Sequence, residues 1–175
     1  SRHKLAFDAY LAAKALAEAR RFRPDIIHGH MHEGALIGGA LARLLGVPLV
    51  FDFQGSLSAE MVDHHFLDPQ GALYPWVYRL ESAITRRLPD AILTSSGRAA
   101  ALLRDDFAVP PERIHALPDC ADPTQFDPAR FPFEPADHPL RTQYGIPREA
   151  VVVGYLGLLT DYQGVPHLIE AAARL

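Results

Sequence analysis

The sequence has little of several residue types, and each shortage excludes a class of protein. Only one of its 175 residues is a cysteine, Cys120, so no disulfide can form within the chain. It has no run of eighteen apolar residues, and charged side chains interrupt its alanine-rich beginning, which argues against a membrane span and a signal peptide. The net charge of -4 argues against a nucleic-acid-binding protein with a basic face. Neither a G-x-G-x-x-G nor a P-loop pattern occurs, which weakens the case for an unrelated nucleotide-binding domain.

What is present is the composition of an ordinary globular protein, 49% hydrophobic and 22% charged, which excludes disordered, collagen-like and coiled-coil chains. Short apolar runs alternate with stretches of helical periodicity. This alternation predicts an α/β domain with a parallel sheet covered by helices on both faces. We expect strands over 25–30, 49–53, 91–94 and 114–117, and helices over 4–22, 34–45, 72–88 and 98–105.

Polar residues follow each of the predicted strands, at the edge of the sheet where ligands bind in this class of fold. They are His30, Gln54, Ser95 and Asp119. Ser96 precedes a predicted helix, and we interpret it as the N-cap of that helix. These positions indicate where a site lies but not which reaction it carries out.

The composition changes after Asp119. Nine of the fifteen prolines lie between Pro110 and Pro147, so we interpret 122–149 as a stiff interdomain linker. Beyond it, 150–156 is predicted to be a buried strand and 165–175 a helix. One strand and one helix cannot bury a core, so we expect 150–175 to be the first βα unit of a truncated second domain. Its unpaired strand also predicts a homodimer or a domain swap.

Five motifs occur in one order along the chain. They are PDIIHGH, GVPLVFDFQG, PDAILTSS, PERIHALPDCADPTQFDP and YLGLLTDYQGVPHLIEAAARL. Together they resemble the retaining, group 1 (family four) glycosyltransferases of the two-domain GT-B fold, whose two domains are Rossmann-like. The resemblance implies that residues 1–121 are part of the N-terminal acceptor domain, and that 150–175 begin the donor domain.

The same resemblance implies a reaction. The full enzyme would move a sugar from a nucleotide-sugar donor to a saccharide or lipid-linked acceptor, with retention of configuration and without a metal cofactor. The fragment alone is expected to be inactive, since half of the cleft would be missing. We expect a cytoplasmic protein, with peripheral contact at the inner face of the membrane as an option, and no nucleic-acid partner.

Site residues follow from the motifs by position. Gln54 stands where relatives often have a cleft histidine, and it can hydrogen-bond a sugar hydroxyl but cannot take up a proton near neutral pH. The other acceptor or cleft residues are His30, Gly55, Ser56, Asp119 and Asp122. The donor phosphate loop is assigned to Gly157, Gln163 and Gly164. Within that loop, Leu158 and Gln163 replace the arginine and lysine that usually bind the diphosphate.

Two patterns have competing interpretations. His28, His30 and His32 alternate, so on an extended strand they would share one face, as a metal site requires. No cysteine or carboxylate joins them at ligand spacing, so we expect no metal. The helix over 72–88 mixes aromatic residues with arginines, with Trp76, Tyr78 and Ile84 on its apolar side. It could lie on an anionic membrane or pack as an ordinary crossover helix.

A second function of a different class stays open. Gln54, Leu158 and Gln163 each replace a chemically active residue of the family. The alternative is therefore a non-enzymatic ligand-binding or assembly module built on half of a GT-B scaffold.

Overall fold

Strands and helices alternate through the first 119 residues. The computed structural model describes residues 2–130, 136 and 138–174, and it divides into two units, Ser1–Asp119 and Cys120–Leu175. The strands of the first unit are β1 (Ile27–His30), β2 (Leu49–Asp52), β3 (Ala91–Thr94) and β4 (Ile114–Ala116). Its helices are α1 (Arg2–Phe22), α2 (Met31–Leu45), α3 (Leu57–Asp63), α4 (Tyr74–Arg87) and α5 (Gly97–Asp105).

The four strands form one parallel sheet in the order β1-β2-β3-β4. His30 lies opposite Asp52, and Phe51 lies opposite Ile92. Chain order and spatial order are the same, so right-handed crossovers carry the connecting helices to the same face. The predicted α/β class with a parallel sheet is confirmed.

One face of this sheet forms the core. Leu49, Phe51 and Ile92 are completely buried on it. Side chains from α2, from α4 and from α5 with its following loop complete the cluster: Ala35, Ile84, Leu103, Phe107 and Val109. Burial of such side chains contributes roughly 1.5–3 kcal/mol each, which makes this layer the main source of stability.

Glycines allow α2 to approach the sheet closely. A Cβ added to Gly29 would lie 2.6 Å from the carbonyl oxygen of Gly34, a distance that no real Cβ contact allows. Gly46 ends α2 in the left-handed conformation with φ of 71°, and its N–H donates to the Ala42 carbonyl. The end of the helix predicted over 34–45 is confirmed.

The other face of the sheet differs from the prediction. His28 and His30 on β1 are exposed, and Val50 and Asp52 on β2 are only half-buried. The prediction of helices on both faces therefore holds for one face only in the residues described, because sequential strand order puts all three crossovers on the same side. We call this second surface the open face.

The second unit contains less regular structure. Its α-helices are α6 (Pro139–Gln143) and α7 (Val165–Ala172). The predicted buried strand over 150–156 is wrong for the part of the chain that is described: no ladder forms there, and Val151 and Leu156 are 91% and 102% exposed. A strand needs a backbone partner, and the described part of this unit supplies none. Residues 131–135 and 137 of the predicted linker lie outside the described residues.

The domain boundaries predicted at 121/122 and 149/150 stay predictions. Within the described ranges, no helix is long and apolar enough to cross a bilayer.

Candidate active site at the ends of two strands

A chain of polar contacts lies where β1 and β2 end. The parallel register places His30 beside Asp52, and the His30 Nδ1 lies 2.8 Å from the Asp52 Oδ2. The Gln54 Nε2 donates a hydrogen bond to the same oxygen at 3.4 Å. His30 and Gln54 are exposed, so two functional groups that a single carboxylate orients face solvent at this edge. An imidazole and an amide in this arrangement can bind the hydroxyl groups of a sugar.

A buried carboxylate forms hydrogen bonds with the residues that directly follow the turn carrying Gln54. Glu81 on α4 is completely buried, and it accepts hydrogen bonds from the backbone N–H groups of Leu57 and Ser58 at 2.8 and 3.0 Å. The Ser58 hydroxyl donates to it at 2.5 Å. The Ser56 hydroxyl caps α3 by accepting from the Ala59 N–H at 3.2 Å. These bonds fix the first turn of α3, and with it the position of the 54–56 segment.

His32 does not share a face with His28 and His30, so that prediction is wrong. The strand ends at His30, and Met31 turns the chain with φ of 58° into α2. His32 therefore points into the core, where its ring meets Phe51 and Phe53 edge-on and its Nε2 lies 3.5 Å from the Glu81 Oε1. Burial lowers the pKa of His32, against the opposing charge of Glu81.

Gly55 and Asp119, two other predicted residues of the acceptor site, lie at the same edge of the sheet. Gly55 is exposed, and a Cβ built on it would meet nothing within 4 Å. The fold therefore does not demand a glycine there. Asp119 is exposed three residues beyond β4, two strands away from β2.

Ser96 has a structural role. Its hydroxyl accepts a hydrogen bond from the Ala99 N–H at 3.1 Å at the start of α5. The predicted N-cap is confirmed.

Asp122 belongs to the second unit, and its carboxylate is held by its own neighbours. It accepts from the Thr124 backbone N–H and hydroxyl at 2.8 and 2.7 Å and from the Gln125 Nε2 at 3.0 Å. These hydrogen bonds, that of the Thr124 hydroxyl above all, lower the pKa of Asp122. The structure therefore gives this residue a role in a local turn, and its role in the acceptor site stays a prediction.

The predicted donor loop lies between Gly157 and α7. Gly164 adopts φ of 76°, so the turn into the helix favours a glycine on backbone grounds alone. Gln163 is exposed and ends the short 3₁₀ helix Asp161–Gln163. A Cβ on Gly157 would meet only the movable end of Tyr155, 2.7 Å away. The segment 157–164 contains no lysine or arginine, and Asp161 adds a negative charge.

The long helix after α3 packs on the core and also exposes an apolar surface. Its buried residues are Glu81, Ile84 and Thr85. Trp76, predicted on the packed side, is instead 67% exposed, and the guanidinium of Arg79 lies 5.5 Å from its ring centroid. The buried residues of α4 all lie in its second half, whereas Trp76 lies in its first turn.

With this geometry in place, comparison with known proteins identifies the family. Residues 2–120 match the glycosyl transferase 4-like domain. The chain belongs to this family.

Two curated relatives agree with that assignment. The chain is 30% identical over 161 residues to an alpha-maltose-1-phosphate synthase from Mycolicibacterium smegmatis, covering 85% of the chain and 37% of the relative. It is 28% identical over 153 residues to a D-inositol 3-phosphate glycosyltransferase 1 from Catenulispora acidiphila, covering 86% of the chain and 34% of the relative. The chain thus spans little more than a third of the length of these curated relatives.

The fold matches that of Anabaena Alr3699/HepE, whose crystal structures contain UDP-glucose or UDP. The TM-score is 0.69 at 20% and 19% identity, covering 94% of this chain and 40% of that protein. This likeness confirms the predicted fold class, an α/β fold with a parallel sheet.

Two residues of the site were not found from the sequence. Asp52 ends a strand and reads as part of an apolar run, and only the register with β1 shows that it contacts His30. Glu81 reaches Ser58 across 23 residues of sequence, and no local pattern indicates that contact. The sequence offers one indication that Glu81 is buried: it lies three residues before Ile84, so both are on the same side of the helix.

Proposed function

We propose that residues 1–121 form part of the acceptor domain of a retaining glycosyltransferase, and that residues 150–175 begin its donor domain. The whole protein would transfer a sugar from a nucleotide-sugar donor to a saccharide or lipid-linked acceptor. Family membership and the names of both curated relatives support sugar transfer. On this proposal, residues 1–175 alone transfer no sugar, because the donor half of the cleft is incomplete.

The arrangement of His30, Asp52 and Gln54 is the observation that carries the proposal. Asp52 holds both neighbours through one carboxylate oxygen, at 2.8 and 3.4 Å. With its Nδ1 turned to Asp52, His30 presents its other ring nitrogen to the acceptor, where it can accept a hydrogen bond from a hydroxyl. Gln54 cannot exchange a proton, so its role is to bind and orient the acceptor. Gly55 leaves space for the acceptor beside it, while Ser56 fixes the turn.

The donor side of the proposal depends on Gly157, Gln163 and Gly164. Backbone N–H groups at the start of α7 can contact a diphosphate, since the N-terminus of a helix favours negative charge. The absence of a cation between 157 and 164 means that groups beyond this loop must neutralise most of the phosphate charge.

Contact with a membrane surface is a further part of the proposal, on a specific observation. Leu73, directly before α4, is 60% exposed, and Trp76 and Leu80 on α4 are 67% and 55% exposed on either side of Arg79 in sequence. An apolar patch with adjacent arginines suits an anionic lipid surface, which would bring a lipid-linked acceptor to the enzyme. Trp76 is the only tryptophan among residues 1–175, so its fluorescence in this chain reports the contact directly. A blue shift with anionic vesicles and none with neutral vesicles is expected; no shift with either would contradict it.

The transfer itself is tested with the whole protein. It is incubated with UDP-, GDP- and ADP-sugars and with saccharide, inositol phosphate and lipid-linked acceptors, while release of nucleoside diphosphate is measured. We expect one donor to give acceptor-dependent release, with the anomeric configuration of the donor retained in the product by NMR. An inverted product would contradict retention.

The non-enzymatic alternative gives a different result in the same assay. A folded whole protein that binds a saccharide, but releases no nucleoside diphosphate from any donor, would favour a ligand-binding or assembly module. The replacement of family residues at Gln54, Leu158 and Gln163 is the observation behind this alternative.

A further inference from the structure

Two histidines and a carboxylate come together on the open face of the sheet. His28 and His30 alternate along β1, so both side chains leave the strand on this face, and their ring centroids are 4.6 Å apart. Asp52 lies directly opposite His30 in the parallel register. The sequence places no carboxylate at ligand spacing from these histidines, and the pairing of β1 with β2 supplies one.

The three side chains can reach one ion. One donor atom from each residue lies within 4.8 Å of the other two. Ligands bound to one tetrahedral metal at about 2.1 Å are roughly 3.4 Å apart, so closure requires movements of an ångström or so. The His30 side chain is 61% exposed and that of Asp52 25%, so these movements do not disturb the core. The backbone of two paired strands holds the three ligands in place.

We propose that His28, His30 and Asp52 form a binding site for a divalent transition metal, with Zn²⁺ as the representative ion. Two imidazoles and one carboxylate suit zinc, nickel, cobalt or ferrous iron, whereas calcium and magnesium prefer oxygen ligands. Three protein ligands leave at least one coordination position for water or another small ligand. In the part of the chain that the structure describes, His28 and His30 are exposed on the open face, so an ion can reach them from solvent.

This site shares His30 and Asp52 with the proposed acceptor site, so a bound ion and an acceptor would compete for these two side chains, but none of its ligands belongs to the proposed donor loop. It lies in the first unit on β1 and β2, whereas the proposed diphosphate loop lies in the second unit at 157–164. Its test therefore measures metal binding and not sugar transfer, so either proposal can fail while the other holds.

The experiment titrates the whole protein, freed of metal, with Zn²⁺ by calorimetry and with Co²⁺ by visible absorption. We expect a site that binds one Zn²⁺ and ignores Mg²⁺ and Ca²⁺. Each ligand is replaced in turn, in the variants His28→Asn, His30→Asn and Asp52→Asn. Each variant should bind Zn²⁺ about tenfold more weakly or worse, because loss of even a residue that supports a metal ligand lowers metal affinity about 10- to 100-fold. Bound Co²⁺ should show ligand-field absorption that these variants lose.

His115→Asn is the matched control. His115 is exposed on the same row of the sheet, because it pairs with Leu93 and Leu93 pairs with Asp52, but it lies outside the cluster. Its substitution should change Zn²⁺ affinity less than threefold. Circular dichroism checks that every variant folds. Wild-type binding no tighter than that of Asp52→Asn, or an equal loss in His115→Asn, would overturn the proposal.

Discussion

The carboxylate of Glu81 holds Ser58 by two hydrogen bonds, one to its backbone N–H at 3.0 Å and one to its hydroxyl at 2.5 Å, with both residues buried. This contact joins α4 to the beginning of α3, directly after the turn that carries Gln54. It makes Glu81 a positioning residue for the proposed acceptor site.

Glu81→Gln should therefore destabilise the protein. The amide would direct an NH₂ group toward N–H donors, leaving buried groups unpaired at a cost of about 2–4 kcal/mol. Urea denaturation measures the loss. Glu60→Gln, at an exposed position on α3, is the control and should change the free energy of unfolding by less than about 0.5 kcal/mol. Equal stability of the two variants would contradict the structural role of Glu81.

Replacement of two glycines by alanine should affect the stability of the protein to very different extents. Gly29→Ala would place a Cβ 2.6 Å from the Gly34 carbonyl oxygen and force β1 away from α2, at a cost of about 2–4 kcal/mol. Gly55→Ala has open space and should change stability by less than about 1 kcal/mol. Thermal unfolding compares the two. If Gly29→Ala fails to fold, Gly34→Ala, with a milder contact of 3.3 Å, gives the intermediate value. Similar stability of Gly29→Ala and Gly55→Ala would contradict the proposed close packing.

Tyr78 should make stability sensitive to high pH. Burial, aided by the nearby charge of Asp106, raises its pKa above the ordinary value, and its hydroxyl donates to the Asp106 carbonyl oxygen at 3.3 Å. A raised pKa in the folded state means that the folded protein binds the phenolic proton more tightly than the unfolded chain. The resulting stabilisation is complete below about pH 10 and is lost as the pH rises through the folded pKa.

Denaturation at pH 9 and pH 11 tests this dependence. The wild type should lose more stability between these values than Tyr78→Phe, which has no phenolic proton to release. The same loss in both proteins would show that Tyr78 does not cause it.

Comparison of sequence and structure shows where local patterns suffice. The predicted strands over 91–94 and 114–117 match the observed strands at 91–94 and 114–116 to within a residue. Each is a short apolar run between turn residues, a pattern that is typical of a strand. The start of α2 was placed three residues late, since Met31 adopts a positive φ that no pattern of side chains indicates. The error over 150–156 has a different cause: an apolar run becomes a strand only where a partner exists.

The site was less predictable than the fold for a related reason. His30 and Gln54 could be placed at the sheet edge because the carboxyl ends of parallel strands meet there. The contact of His30 with Asp52 depends on register, and that of Glu81 with Ser58 on helix packing. Both contacts join segments that are far apart in the sequence, so the local periodicity of a single sequence does not predict them.

The most direct test of the proposed acceptor site is the transfer rate of the Gln54→Ala variant of the whole protein, measured against acceptor concentration. Loss of the amide that binds the acceptor should lower kcat/KM for the acceptor about 10- to 100-fold. Stability should be unchanged, because Gln54 is exposed. Gln70→Ala, at an exposed loop position, is the control and should match the wild type. A kcat/KM for Gln54→Ala equal to that of Gln70→Ala would contradict an acceptor site at the ends of β1 and β2.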